Sequence, residues 1–284
     1  MTKRLSVLTG VVGDPVKHSK SPLIHNFWIK RYRLEGIYAP FEVCSKDLAL
    51  FFKLAPDIGL RGLNVTTPHK QEAIKICTQL SDRAKRVGAV NTITFAENGD
   101  VLGDITDGWG FLANLKQTAG WHPLGKRVLL LGAGAAASAI IDTLIEEGIH
   151  SITLANRTPA KAAAIRQKSK GTVIVGAWPP APNDWRDADL IINGTTIGML
   201  DRTNADIPWK NLPNLTSKLA TDLIYKPLET SFLNAAAAAG ATTVDGLGML
   251  FHQACPGFKI WHGIEPNVDD LLRDRVLTKT GYLP

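Results

Sequence analysis

The chain has 284 residues, 45% of them apolar, which suffices for one large or two ordinary domains with packed cores. A formal charge of +6 suits anionic small molecules. The only short basic clusters, Lys30-Arg31-Arg33 and Arg83-Lys85-Arg86, read as solvated helix faces, so no nucleic-acid partner is expected. No run of about 18 apolar residues exists to cross a membrane. Cys44, Cys77 and Cys255 are odd in number, far apart and free of CxxC spacing, which argues against a disulfide framework or a zinc site and for a reducing cytosol.

Met1-Thr2-Lys3-Arg4 followed by Leu5 to Val12 has the outline of a signal peptide. It lacks a long enough apolar core and a small-residue cleavage site, and it reads as the first buried strand. Gly13 to Pro22 is a polar loop ending in a serine-proline helix start, with Ser21 as the expected N-cap. Ile24, Phe27 and Trp28 give the helix its apolar face. Ser19 and Ser21, beside free helix N–H groups, offer a site for a carboxylate. A strand around Tyr38 to Val43 and a helix from about Lys46 to Leu54 come next.

Gly62 to Val65 ends a short apolar strand, and Thr67-Pro68 carries the signals of a helix start, with the helix expected to run past Leu80. That would put Lys70 in the first turn, where a cation opposes the helix dipole. A cation so placed holds its proton less tightly, as an acid/base catalyst near neutrality requires. A lone lysine can equally be a solvated surface residue; the polar loop at a strand's C-terminal edge, where open α/β sheets bind ligands, favours function. Val87 to Ile93 reads as a strand interrupted by Asn91 and Thr92, whose polar groups need partners. Asn98-Gly99 is a hairpin turn leading back to Leu102 through Gly108. Asp107 is either a mate for Lys70 or the cap of the helix from Gly108 to about Ala119.

A domain boundary is expected here. Val128 to Leu131 is a buried strand running into Gly132-Ala133-Gly134-Ala135-Ala136-Ala137, a GxGxxA turn before an apolar helix from Ala135 to about Glu147. Such a turn brings backbone amides to a pyrophosphate. The next strand, Ser151 to Ala155, ends in Asn156-Arg157-Thr158-Pro159-Ala160-Lys161, and no Asp or Glu occurs from Gly148 to Asn183. NAD sites usually place a carboxylate here for the ribose hydroxyl; Arg157 and Lys161 instead suit a 2′-phosphate, so the turn favours NADP over an idle basic loop. Thr158 is expected to cap the following helix. Asp189 to Asn193 and Leu219 to Ile224 are further buried strands with polar exits at Gly194 to Met199 and Tyr225 to Thr230. Ala235 to Ala239 lies in a helix, and Val244-Asp245-Gly246 opens a long helical region with Met249, Leu250 and Gln253. Gln253 is equally an exposed helix polar or a ligand contact.

Taken together, these segments resemble the shikimate dehydrogenase family over nearly the whole chain. The matching residues are Gly13-Asp14-Pro15, His18-Ser19-Lys20-Ser21-Pro22 with His25-Asn26, Asn64-Val65-Thr66 with Pro68 and Lys70, and Gly88 to Thr92. Thr106-Asp107-Gly108, Asn156-Arg157-Thr158, Asn193 to Met199, Asp222 with Tyr225 and Pro227, and Asp245-Gly246 with Met249-Leu250 and Gln253 continue the match. The resemblance implies a two-domain α/β enzyme: a mixed-sheet substrate-binding and catalytic domain over 1–107, a Rossmann-type doubly wound parallel sheet for NADP over 108–245, and C-terminal helices over 246–284 returning to the first domain.

It further implies that Ser19 and Ser21 hold a shikimate carboxylate. Asn64, Thr66, Asn91, Thr106, Asp107 and Gln253 would hold the ring hydroxyls, with Tyr225 nearby and Lys70 and Asp107 as the catalytic pair. The cofactor would contact Gly132 to Ala136, Asn156, Arg157, Thr158, Lys161, Thr195, Gly246 and Met249. The expected protein is a cytoplasmic monomer or homodimer acting on shikimate and 3-dehydroshikimate, with no metal and no membrane or nucleic-acid partner. Three positions depart from the family pattern: Ile105 stands where asparagine is usual, Ala135 replaces the third glycine of the cofactor turn, and Gly194-Thr195-Thr196 replaces Ala-Thr-Ser. An isoleucine cannot make an amide's hydrogen bonds, so Ile105 leaves open a paralogue using quinate, an aminoshikimate or a related ring acid; a non-catalytic regulator on the same fold is the further alternative.

Overall fold

The computed structural model describes residues 6–169, 171–199 and 209–278; Leu5 and the residues before it lie outside them. The chain forms two compact units, Met1–Thr106 with Phe251–Pro284, and Asp107–Leu250. In the first unit β1 (Val7–Gly13), α1 (Ser21–Arg31), β2 (Gly36–Glu42), α2 (Leu48–Leu54) and β3 (Leu60–Val65) alternate. A 3-10 turn (Glu72–Ile76), β4 (Gln79–Leu80), α3 (Asp82–Val87), β5 (Thr92–Phe95) and β6 (Val101–Asp104) follow. The sheet order is β2-β1-β3-β5-β6-β4, parallel through β2, β1 and β3 and then antiparallel through β5 and β6. It is a mixed sheet, as expected. The antiparallel part follows from the Asn98-Gly99 hairpin, where Gly99 turns with φ 87°.

The second unit opens with α4 (Asp107–Ala119), then β7 (Arg127–Leu131), α5 (Ala135–Glu146), β8 (Ser151–Ala155), α6 (Pro159–Lys168) and β9 (Val173–Gly176). Next are α7 (Pro182–Asp187), β10 (Leu190–Asn193), β11 (Leu219–Asp222), α8 (Ser231–Ala238), β12 (Thr242–Val244) and α9 (Leu247–His252), the last running past Leu250. All its strands are parallel, in the order β12-β11-β10-β7-β8-β9, the doubly wound arrangement. Alternate residues of each strand feed opposite faces. Val128 and Leu130 pack with Phe111, Ile140 and Leu144, while Leu129 and Leu131 pack with Trp185, Trp209 and Phe232. Two helices complete the first unit, α10 (Cys255–His262) and α11 (Asp270–Thr278). Trp261 of α10 lies over Gly62 and donates to Thr94 Oγ1 at 3.0 Å, and Arg31 of α1 pairs with Asp269 at 2.6 Å. Among the described residues no helix is long and apolar enough to cross a membrane.

Several local expectations need correction. No α-helix starts at Pro68: residues 67–71 are turns before the 3-10 segment, which ends at Ile76 and does not reach Leu80. The polar groups that a helix would use are spent elsewhere. The Lys70 carbonyl accepts from Val90 N–H at 2.8 Å, and the buried His69 ring donates from Nε2 to the Val43 carbonyl at 2.7 Å. The helix-end argument for Lys70 therefore has no helix behind it. Residues 87–91 are not strand, because α3 runs to Val87 and Gly88 closes it in the left-handed region; Ser81, whose Oγ accepts from Ala84 N–H, caps its start. Ser21 is the first helical residue and not the cap; its N–H donates to Ser19 Oγ at 3.2 Å. Thr158 occupies the N-cap position of α6 without a side-chain capping bond. Val244 ends a short strand, so the helical region starts only at Leu247, and residues 246–250 go with the second unit: a Cβ on Gly246 would meet the Asp222 and Ile224 carbonyls at 2.7 and 2.8 Å.

Candidate active site

In the first unit a buried polar cluster joins strands β3 and β5 to the turn after β6 and to Gln253. Tyr38 Oη donates to Asn64 Oδ1 at 2.7 Å, and Asn64 Nδ2 donates to the Asn91 carbonyl at 3.1 Å and to Thr92 Oγ1 at 3.2 Å. Both donors of Asn64 are thereby used. Asn91 Oδ1 accepts from Thr92 Oγ1 at 3.0 Å and from Thr106 N–H at 2.9 Å, and Asn91 Nδ2 lies 3.4 Å from Gln253 Oε1. Thr106 Oγ1 reaches the Gln253 carbonyl at 2.7 Å. The structure thus brings together Asn64, Asn91, Thr106 and Gln253, all buried. Gln253 is not an exposed helix polar. The partners that Asn91 and Thr92 require are each other and their neighbours.

Thr66 and Lys70 are half-buried at the β3 exit, and Ser21 is buried beside the half-buried Ser19. Asp107 is buried at the start of α4, the residue after Thr106 in the chain. Tyr38 was not among the expected site residues, nor was the pair Arg83–Asp104. Burial pushes the Tyr38 phenol well above its usual range, so it acts as a neutral donor. Burial also pushes the Asp104 carboxyl up, but bonds from Arg83, Ser81 and Ile105 N–H outweigh it and hold the group below the usual range. Asp104 Oδ1 accepts from Ile105 N–H at 2.8 Å, so this ion pair anchors the turn that presents Thr106.

In the second unit the C-terminal ends of β7 and β10 lie at the point where strand order reverses, the ligand crevice of open α/β sheets. Gly132 sits there with φ 97°, and a Cβ on it would meet the Gly194 carbonyl at 2.8 Å. Gly134 and Ala135 are exposed at the start of α5, which has no side-chain cap and no acidic residue in its first turn, leaving its amides available to an anion. Asn156 Oδ1 accepts from Ala133 N–H at 3.0 Å, and its Nδ2 donates to the Thr158 carbonyl at 2.8 Å, tying the glycine turn to the basic turn. Arg157 and Lys161 are exposed on that turn. Thr195 Oγ1 donates to Asn193 Oδ1 at 2.7 Å, and Tyr225 and Met249 are half-buried. Small turns, free amides and a cationic rim with no carboxylate fit a phosphorylated dinucleotide.

Three family models match the chain: the shikimate dehydrogenase substrate binding domain over residues 11–93, shikimate / quinate 5-dehydrogenase over 115–200, and the shikimate 5'-dehydrogenase C-terminal domain over 246–273. A curated shikimate dehydrogenase (NADP(+)) from Cereibacter sphaeroides (strain ATCC 17025 / ATH 2.4.3) is 44% identical over 280 residues, 98% of this chain and 99% of its own. The chain belongs to the shikimate dehydrogenase family. Among solved structures, shikimate dehydrogenase from Aquifex aeolicus superposes with a TM-score of 0.85 at 35% identity, covering 98% of this chain and 100% of that one. The Thermus thermophilus enzyme in complex with NADP(H) and shikimate gives 0.84 at 34% identity, over 95% and 98%.

Family membership accounts for the segments read from sequence, and the structure adds what they rest on. Tyr38 lies outside every motif quoted, and only the fold carries its hydroxyl to Asn64. Arg83 was read as a solvated face, although Ser81-Asp82 followed by Gly88 is a legible capped helix that points it at β6. Asp222 was legible as part of a motif but had no role attached; it is fully buried beneath Asn193.

Proposed function

We propose that this chain catalyses the NADP-dependent reversible reduction of 3-dehydroshikimate to shikimate. The supporting observation is the buried Asn64–Asn91–Thr106–Gln253 cluster, a set of neutral hydrogen-bonding groups suited to a polyhydroxy ring, in a chain whose second unit carries a carboxylate-free basic turn. Ser19 and Ser21 hold the ring carboxylate. Ser19 Oγ already accepts from Ser21 N–H, which leaves its O–H to donate to an anion. Asn64, Thr66, Asn91 and Gln253 orient the ring hydroxyls, with Tyr225 at the edge.

Gly132 to Ala136 hold the pyrophosphate, and Arg157, Lys161, Thr158 and Asn156 hold the 2′-phosphate, while Thr195, Gly246 and Met249 face the nicotinamide half. Bound NADPH supplies the hydride that reduces the ring carbonyl carbon. Lys70 donates a proton from Nζ to the carbonyl oxygen as it becomes an alkoxide, and recovers one from solvent after product leaves. Asp107 orients the ammonium and accepts a hydrogen bond from the hydroxyl of the product.

Initial rates over shikimate or quinate with NADP or NAD test this reading. Shikimate with NADP is expected to be fastest. Faster turnover of quinate would make the chain a paralogue for that acid, and NADP binding without turnover of either would make it a regulator.

A further inference from the structure

We propose that Asp222 is a positioning residue for the cofactor loop, acting through the side-chain orientation of Asn193. The inference rests on the reading that Thr195 and Gly246 face the dinucleotide. Asp222 ends β11 and is fully buried, with no role in the proton and hydride transfers. Its carboxylate accepts from Ile224 N–H on Oδ1 at 2.9 Å, from Asn193 Nδ2 at 2.9 Å and Thr230 Oγ1 at 2.7 Å on Oδ2, and also draws on the Leu223 N–H. Every partner gives a hydrogen, so the site is built for a group that only accepts.

That requirement travels. Because Asn193 must turn its NH2 towards Asp222, its Oδ1 faces the other way, where it accepts from Thr195 N–H at 3.1 Å and Thr195 Oγ1 at 2.7 Å. Asn193 Nδ2 also donates to the Ile197 carbonyl at 3.2 Å, and Thr195 Oγ1 accepts from Ile197 N–H at 3.1 Å. The whole loop from Gly194 to Ile197 is therefore set by one amide, whose polarity is set by one carboxylate. The same loop abuts the glycine turn through the Gly194 carbonyl, and Gly246 packs on the Asp222 carbonyl from the other side. Burial pushes the Asp222 carboxyl up against these bonds, as expected of a charge retained for its geometry.

The test is Asp222→Asn, read by titrating the full-length chain with NADPH and following nicotinamide fluorescence. If the oxygen of the substituted amide stays on Ile224 N–H, its NH2 confronts that of Asn193; Asn193 turns over, Thr195 N–H loses its acceptor and faces an NH2, and the Thr195 hydroxyl must turn from donor to acceptor. The expected result is NADPH binding weakened about tenfold, the scale of losing hydrogen bonds in a buried network. The exchange Asp222→Asn with Asn193→Asp restores a donor facing an acceptor and returns both acceptor contacts to Thr195, while the Ile197 carbonyl loses its donor, so affinity should recover in part, to about threefold below wild type.

Unchanged affinity in Asp222→Asn, or loss without recovery in the exchanged pair, overturns the proposal. Should Asp222→Asn not fold, Asn193→Ala carries the test: it leaves Asp222 its bonds to Ile224 and Thr230 but frees Thr195. Weaker NADPH binding then supports the proposal and unchanged binding overturns it. A wild-type chain that fails to bind NADPH removes the cofactor reading itself, an outcome distinct from a wild type that binds and a variant that binds equally well.

Discussion

The two units solve the problem of presenting polarity in different ways. The first buries side chains that hold one another: Tyr38, Asn64, Asn91, Thr92, Thr106 and Gln253 form one continuous network. The second presents mainly backbone, with amides freed by small residues at the β7–α5 turn, and keeps its buried side-chain network, Asn193–Asp222–Thr230, underneath as support. A network of side chains is specific for one arrangement of hydroxyls but fails when any member is removed, because buried polar groups are then orphaned. A backbone cradle tolerates change in side chains and is lost chiefly through steric intrusion. The difference fits a small polyhydroxy ring on one side and a large dinucleotide on the other.

The comparison can be broken first at the chemistry. Lys70→Ala should lower kcat by roughly a hundred- to ten-thousandfold with KM for shikimate nearly kept; steady-state kinetics showing the reverse would make Lys70 a binding group. Asn91→Ala should destabilise the first unit by about 2–3 kcal/mol, since the Thr106 N–H and the Thr92 hydroxyl lose their shared acceptor. Urea unfolding followed by amide exchange in both units would show whether the second is spared. Arg157→Ser should raise KM for NADP about tenfold while leaving KM for NAD unchanged, because the contact proposed for the guanidinium is with the extra phosphate alone; parallel loss with both cofactors would remove that assignment.

Acid gives the finest contrast. His252 and His262 are lowered to about 4 by burial, and His25 well below 6.5 by burial and by His262, and all three belong to the first unit. The folded unit refuses protons that the unfolded chain takes up near 6.5. Its stability is therefore full above that pH and is lost as pH falls from there towards 4. Asp222 in the second unit has the opposite sign, since a raised carboxyl favours the fold more as pH falls. Hydrogen exchange at pH 5 should accordingly loosen α10 before β11, and His252→Phe should shrink that gap slightly. Simultaneous loosening of both units would remove the contrast.

Local signals were read correctly where the chemistry is local. The Gly132–Ala136 turn and the proline starts of α1 and α6 each fit within a few residues, where steric rules act directly, although neither Ser21 nor Thr158 makes the expected capping bond. The segment around Lys70 was misread for the complementary reason. Thr67-Pro68 has the composition of a helix start, but the Lys70 carbonyl and the His69 ring find partners at Val90 and Val43, far along the chain. The missed helix α3 was available in its Ser81 cap and Gly88 terminator.

By itself, then, the order of apolar runs, small-residue turns and charges determined the fold class, the family and the carboxylate-free basic turn after β8, because each depends on neighbours in sequence. Which way each buried amide points was decided only by tertiary structure. Asn64 is oriented by Tyr38, and Asn193 by Asp222 at 29 residues' separation, since a buried donor can be satisfied only by whatever acceptor the packed strands bring within about 3 Å.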